Sequence, residues 1–258
     1  MTTDHALARE LASRAGDLLL RLREGWSGEA TELRAAGDAE SHELLMAALR
    51  EARPADAILS EEGKDDHVRL SAQRVWIVDP LDGTREFGEV PRDDWAVHVA
   101  LWESGELVAG AVGRPARGDI LATDAPPARP QGMPSTIRLA VSRTRPPAFV
   151  TALAERLGAE LVPMGSAGIK ATAVLDDVVD AYVHAGGQYE WDSAAPVAVA
   201  SAAGLHTSRI DGSALEYNSA DPLLPAAALT VVFGLSGLWA RPLAASSSHR
   251  NDCAGSTA

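Results

Sequence analysis

The stretch Val75-Trp76-Ile77-Val78-Asp79-Pro80-Leu81-Asp82-Gly83-Thr84 decides how this chain reads. A short apolar run predicts a buried strand, and this one ends in two carboxylates separated by two residues, then Gly-Thr. Hard oxygen ligands are thereby placed where a sheet opens to solvent, which is what magnesium requires of a protein. Gly83 lets the backbone approach an anion closely, and N–H groups around it can cradle a phosphate.

Two further acidic features lie far away along the chain. Upstream, Ser60-Glu61-Glu62-Gly63 closes a short apolar run with a carboxylate pair; downstream, Glu190-Trp191-Asp192-Ser193-Ala194-Ala195-Pro196 places an Asp at an expected helix start. Each has an ordinary alternative. A Glu pair can be a solvated strand edge, and an Asp before a helix can be only a cap.

Around these landmarks the chain divides into recognisable elements. Leu7, Leu11, Ala15, Leu18 and Leu22 recur at helical spacing and predict an amphipathic first helix that Gly25 stops. A second helix is expected from about Asp38, as its cap, to Arg53, with Pro54 just beyond. Strands are expected at Ala57–Ser60, Val75–Val78, Trp95–Trp102, Leu107–Val112 and Ile120–Thr123. Four prolines between Pro126 and Pro134 mark a connection. After it, strands at Arg138–Val141, Leu161–Pro163 and Ala181–His184 alternate with helices at Pro147–Leu157, Ala167–Leu175 and Asp192–Ala203. That alternation predicts an α/β second half. The expected units are an α+β segment over 1–134, an α/β segment over 135–243, and a disordered Ser-, Ala- and Asn-rich tail over 244–258. Leu223–Ala240 is 18 residues without a charge. Pro225, Gly234 and Gly237 interrupt it, so it reads as a buried terminal strand or helix rather than a membrane span.

Composition narrows the class. The 258 residues are 46% hydrophobic and 23% charged, as in a soluble globular protein. A formal net charge of −13 argues against nucleic acid or anionic membrane as a partner. The single cysteine, Cys253, leaves no internal disulfide and no multi-thiolate metal site, which suits a reducing cytoplasm. The first ten residues carry charges and no long apolar core, so no signal peptide is read there.

Taken together, Glu61, the Asp79–Thr84 box and the Trp191–Pro196 box resemble the inositol monophosphatase superfamily of metal-dependent phosphatases, in its order and approximate spacing. The resemblance runs from the first helix to about Pro225. It implies an α/β (α+β) fold, a layered αβαβα sandwich, and a site holding two or three Mg2+ ions. It further implies that Glu61, Asp79, Asp82 and Asp192 are metal ligands, joined by the carbonyl of Leu81, with Asp79 bridging. Glu61 is preferred to Glu62 because the first Glu of the pair matches the family's ligand. Water would attack phosphorus directly, without a covalent intermediate, and cations about 4 Å apart would stabilise the developing charge. Thr84, paired with Asp38 or Glu61, is the expected orienter or base. Asp38 in Gly37-Asp38 resembles a residue tied, in nucleotide-directed members, to the nucleophilic water and to lithium inhibition.

Thr84-Arg85-Glu86-Phe87 resembles the sequence of the CysQ-type 3′(2′),5′-bisphosphate nucleotidases, as do Val141–Thr144, Gly165–Lys170 and Ala185–Gln188. The implied partner is a small phosphorylated nucleotide, 3′-phosphoadenosine 5′-phosphate or its sulfated precursor, with inositol monophosphate or fructose 1,6-bisphosphate as the alternative substrates. A homodimer is the candidate assembly. Gly83, Thr84, Ser142, Arg143, Ser166 and Lys170 are the expected substrate contacts, Arg143 and Lys170 as cations for a second phosphate. His98, in an alternating strand, is read as a structural histidine rather than a ligand.

Overall fold

The structure is a computed structural model that describes residues 2–65, 67–128, 132, 134–224 and 229–233. Its first sheet contains β1 (Ala57–Ser60), β2 (Arg74–Asp82), β3 (Ala96–Glu103), β4 (Glu106–Arg114) and β5 (Asp119–Ala122), in that spatial order. β1 and β2 run parallel and the remaining pairs are antiparallel. The second sheet has the order β7-β6-β8-β10-β9, built from β6 (Arg138–Ser142), β7 (Glu160–Met164), β8 (Ala181–Ala185), β9 (His206–Ser208) and β10 (Leu229–Phe233).

The period of two along each strand sorts the side chains into layers. On β2, Trp76 and Val78 join a core with helices α1 (Asp4–Gly25) and α2 (Ala30–Ala52). Val75 and Ile77 face the other way, into a core that includes Ile169 of α5 (Ala167–Thr172) and Ala194, Ala195 and Val199 of α6 (Glu190–Ala202). Ala140 and Tyr182 of the second sheet meet that same core. Their neighbours Leu139, Val141, Ala181 and Val183 pack on Val150 and Ala154 of α4 (Ala148–Leu157). The layers are therefore helix, sheet, helix, sheet, helix, and the expected αβαβα sandwich is found. Burial on both faces explains why β2 is an uninterrupted apolar run.

α1 begins at Thr3, whose hydroxyl accepts from the Ala6 N–H at 3.2 Å, and ends at Gly25 as expected. Leu7, Leu11, Ala15 and Leu19 are its buried stripe, with Leu18 and Leu22 half-buried. The second helix corrects the sequence reading. It starts at Ala30, so Asp38 lies well inside it and caps nothing. Gly37 is the physical reason for the misreading: a β-carbon there would lie 2.7 Å from the Phe87 ring and 2.9 Å from Leu81. This glycine is not a break in the helix but the place where α2 lies against the acidic box.

No helix among the described residues is long and apolar enough to cross a membrane. β10 supplies a strand within Leu223–Ala240 and Leu223 and Leu224 are also described, but residues 225–228 and 234–240, the tail over 244–258 and Cys253 lie outside the described residues, as do residues 129–131 and 133 of the proline-rich connection.

Candidate active site

β1 stops at Ser60, which pairs with Val78, so beyond Val78 strand β2 has a partner only in β3. Pro80, which has no N–H to give, is tolerated on that unpaired side. The β2–β3 register shifts between Asp79 and Asp82, an irregularity of the kind that re-aims side chains next to active sites. The buried Ser41 hydroxyl of α2 donates to the Pro80 carbonyl at 2.7 Å and the Leu81 N–H to Asp79 at 3.0 Å, fixing the box from two sides. Gly83 then turns the chain at φ 87°, in the left-handed region, and launches α3 (Thr84–Phe87).

Asp79, Asp82 and Asp192 each offer an oxygen, and these oxygens all lie within 4.8 Å of one another. Glu61 comes off the end of β1, where its N–H bonds to the Val78 carbonyl at 3.3 Å, and its carboxyl hydrogen-bonds to that of Asp79. The four expected acidic residues therefore converge. Burial and mutual repulsion push the Asp79 carboxyl well above the usual range. Burial, with Asp192 and Asp82 nearby, pushes Glu61 up to about 7, and burial with Asp82 pushes Asp192 up to about 6. A site built only of carboxylate oxygens, with its charges unbalanced, fits a hard divalent cation such as magnesium and would not suit a soft one.

Asp82 behaves differently. Burial alone would raise its pKa, but the His98 imidazole 3.2 Å away, the Ser166 hydroxyl and the Gly168 N–H outweigh it and hold the carboxyl below the usual range. N–H groups of Ala167 and Gly168 donate to it at 3.0 and 2.6 Å. His98 is fully buried, and its Nδ1 lies 3.0 Å from the Trp191 carbonyl. It thus spans Asp82 and the residue before Asp192, a supporting role that strand alternation does not reveal. Asp192 is held in turn by the Tyr189 N–H at 2.6 Å. Its capping role therefore coexists with a place in the cluster, since the second oxygen is left over.

Thr84 and Asp38 also meet. The Thr84 hydroxyl lies 3.1 Å from an Asp38 oxygen and 3.1 Å from the Leu81 carbonyl. Burial pushes Asp38 up to about 6, against the lowering effect of the Thr84 hydrogen bond.

A cavity of about 1130 Å³ opens beside the cluster, with Asp82, Gly83 and Asp192 on one wall and Ser142, Arg143, Ser166 and Lys170 among the rest of its lining. The expected substrate contacts other than Thr84 thus border one space, but several already have partners. Arg143 donates to Glu86 at 2.6 Å and to Glu89 at 2.7 Å. Lys170 is buried, with Nζ donating to the Gly165 and Ser166 carbonyls, and burial pulls its pKa below the usual lysine value. Ser142 accepts from the Arg145 N–H at 3.3 Å. Ser166 sits at φ 43°, accepts from the Ile169 N–H at 3.0 Å to cap α5 and donates to Asp82.

A polar network gives the sequence no local pattern by which to find it. Arg69, 2% exposed, binds Asp65 and donates to the Asn218 side chain at 2.8 Å. Glu190, 0% exposed, accepts from the N–H groups of Asn218 and Ser219, each at 2.7 Å. The loop after Glu61 is thereby tied to the helix end that carries Asp192.

Residues 3–234 match the inositol monophosphatase family. The chain is 52% identical over 237 residues to the 3′-phosphoadenosine 5′-phosphate phosphatase of Mycobacterium leprae (strain TN), covering 86% of this chain and 87% of that protein. It is 29% identical over 233 residues to the 3′(2′),5′-bisphosphate nucleotidase CysQ of Escherichia coli (strain K12), covering 83% of this chain and 94% of that protein. Among solved structures, CysQ from Bacteroides thetaiotaomicron superposes with a TM-score of 0.74 at 26% identity, covering 88% of this chain and 95% of that one.

Proposed function

This chain belongs to the inositol monophosphatase family, and from that premise we propose that it is a magnesium-dependent phosphatase that removes the 3′-phosphate of 3′-phosphoadenosine 5′-phosphate and of its sulfated precursor. The carrying observation is the convergence of Asp79, Asp82 and Asp192, with Glu61 beside Asp79, in a cluster whose Asp82 and Asp192 line a cavity large enough for a nucleotide. The names of the Mycobacterium leprae and Escherichia coli relatives support the choice of substrate.

In this reading Glu61, Asp79, Asp82, Asp192 and the Leu81 carbonyl hold two or three Mg2+ ions. Bound there, the ions supply positive charge and Lewis acidity to a phosphate dianion that otherwise repels its nucleophile. The protein's own residues do the rest. The Thr84 hydroxyl orients the attacking water, and Asp38, its pKa pushed up by burial to about 6, takes up the proton relayed through it. The P–O bond to the ribose 3′ oxygen breaks as the water oxygen bonds to phosphorus, and the departing 3′ oxygen takes up a proton from solvent water, giving inorganic phosphate with AMP from the bisphosphate or adenylyl sulfate from its sulfated form. His98 and the α5 N–H groups keep Asp82 ionised and aimed. Sensitivity to lithium, a place in sulfate assimilation and a cytoplasmic setting belong to the same proposal.

Phosphate release with and without added magnesium, measured on the adenosine bisphosphate, its sulfated form, inositol monophosphate and fructose 1,6-bisphosphate, tests it. The highest kcat/KM is expected on the first two, with Asp192→Asn abolishing turnover while the circular dichroism spectrum is kept. A higher value on either sugar phosphate overturns the substrate; near-normal rates in Asp192→Asn overturn the ligand set.

A further inference from the structure

Four cationic side chains, Arg85, Arg143, Arg145 and Lys170, line the cavity beside the carboxylates, and they fall into two kinds. Lys170 is buried and holds two carbonyls; Arg143 is neutralised by Glu86 and Glu89. Their donors are already committed to the protein. Arg85 and Arg145 are exposed, and among the described residues neither side chain has an ion-pair or hydrogen-bond partner. In a chain of net charge −13, two unneutralised guanidinium groups on one cavity call for an anion.

Their placement favours a particular kind of anion. Arg85 follows Thr84 in the first turn of α3, against the box. Arg145 lines the cavity from the segment just after β6, where its backbone N–H bonds to Ser142 and Pro146-Pro147 stiffen the chain before α4. The reacting phosphate belongs at the carboxylates, so these arginines address charge elsewhere on the same ligand. A guanidinium fork matches phosphate oxygens in geometry as well as in sign. We infer that Arg145 and Arg85, rather than Arg143 and Lys170, bind the non-reacting 5′-phosphate and set the preference for a bisphosphorylated nucleotide. This rests on the proposed function for its substrate and replaces the cations expected from sequence.

Wild type, Arg145→Ala and Arg85→Ala are compared on adenosine 3′,5′-bisphosphate and on 3′-AMP, which lacks the second phosphate. Each variant should lower kcat/KM on the bisphosphate by about tenfold or more, mostly through KM, so that the ratio between the two substrates collapses. Arg145→Lys should recover part of that ratio. Neither side chain makes a described contact, so melting temperatures should stay near wild type. A second measurement is independent of turnover: calorimetric titration with 5′-AMP, against adenosine as the control. Weaker 5′-AMP binding in both alanine variants supports the inference, and wild-type-like binding or an undiminished substrate ratio overturns it. A wild type that hydrolyses neither nucleotide yet binds 5′-AMP through these arginines would sink the proposed function and leave the inference standing.

Discussion

Gly168→Ala should be strongly destabilising, although helix propensity alone predicts the opposite. Alanine in a helix interior is favoured over glycine by about 1 kcal/mol. At this position, however, a β-carbon would lie 2.0 Å from His98 Nε2 and 3.1 Å from an Asp82 oxygen. Non-bonded heavy atoms settle at about 3.5 Å, so the imidazole must retreat by roughly 1.5 Å. His98 is 0% exposed and has nowhere to go without disturbing β3. Overpacking of this kind costs about 1–3 kcal/mol, and loss of the charged contact to Asp82 adds about 1.5–3 kcal/mol. A loss of about 3 kcal/mol corresponds to roughly 6–12 °C in melting temperature for a domain of this size. Thermal and denaturant unfolding of Gly168→Ala, in wild-type and His98→Ala backgrounds, reads it directly. The penalty should shrink below about 1 kcal/mol once the imidazole is gone. An equal penalty in both backgrounds would refute the steric argument, as would a Gly168→Ala protein as stable as wild type.

Thr84→Ala and Asp38→Asn should each lower kcat by about 10²–10⁴, and the double variant should be little worse than the poorer single one if the pair acts as a unit; steady-state kinetics at saturating magnesium measures this. Without metal, stability should fall as pH rises. Glu61 and Asp192 hold their protons more tightly folded than unfolded, so their contribution is full below about pH 4 and lost as the pH passes through about 6 to 7, and Asp79, also raised, acts in the same direction. The stabilisation given by added magnesium should grow across that same window, because deprotonated ligands bind it best; melting curves from pH 4 to 8 with and without the ion check both trends. Arg69→Met should raise the magnesium concentration needed for half-maximal rate as well as lower stability, since it cuts the tie between the Glu61 loop and the Asp192 helix. A drop in melting temperature with no change in magnesium dependence would reduce Arg69 to a structural residue.

The features legible in the sequence were those written locally. An apolar run ending in Asp-x-x-Asp-Gly-Thr, a Glu pair closing a strand and an Asp at a helix start each carry their signal within about ten residues. Their convergence came from the family resemblance and not from any one motif. What stayed hidden depends on contacts between distant parts of the chain. Gly37 reads as a helix boundary until Phe87 is seen packed on it. Arg143 and Lys170 read as free cations until Glu86, Glu89 and two carbonyls are found beside them. His98 alternates like any strand residue, and only the pairing of β2 with β3 and the docking of α6 place Asp82 and Trp191 against its two nitrogens. Arg69, Glu190 and Asn218 share no periodicity at all.

Helix α6 has one more consequence, which concerns time rather than space. It lies between the two sheets and supplies the last carboxylate of the cluster. During synthesis, Glu61, Asp79 and Asp82 leave the ribosome more than a hundred residues before Asp192 does. A nascent chain that has made only the first sheet carries three acids without their fourth companion, and without the α5 N–H groups that steady Asp82. Full cation affinity should therefore switch on late, when α6 docks, and a ribosome-stalled chain ending before residue 190 should bind magnesium far more weakly than one released whole.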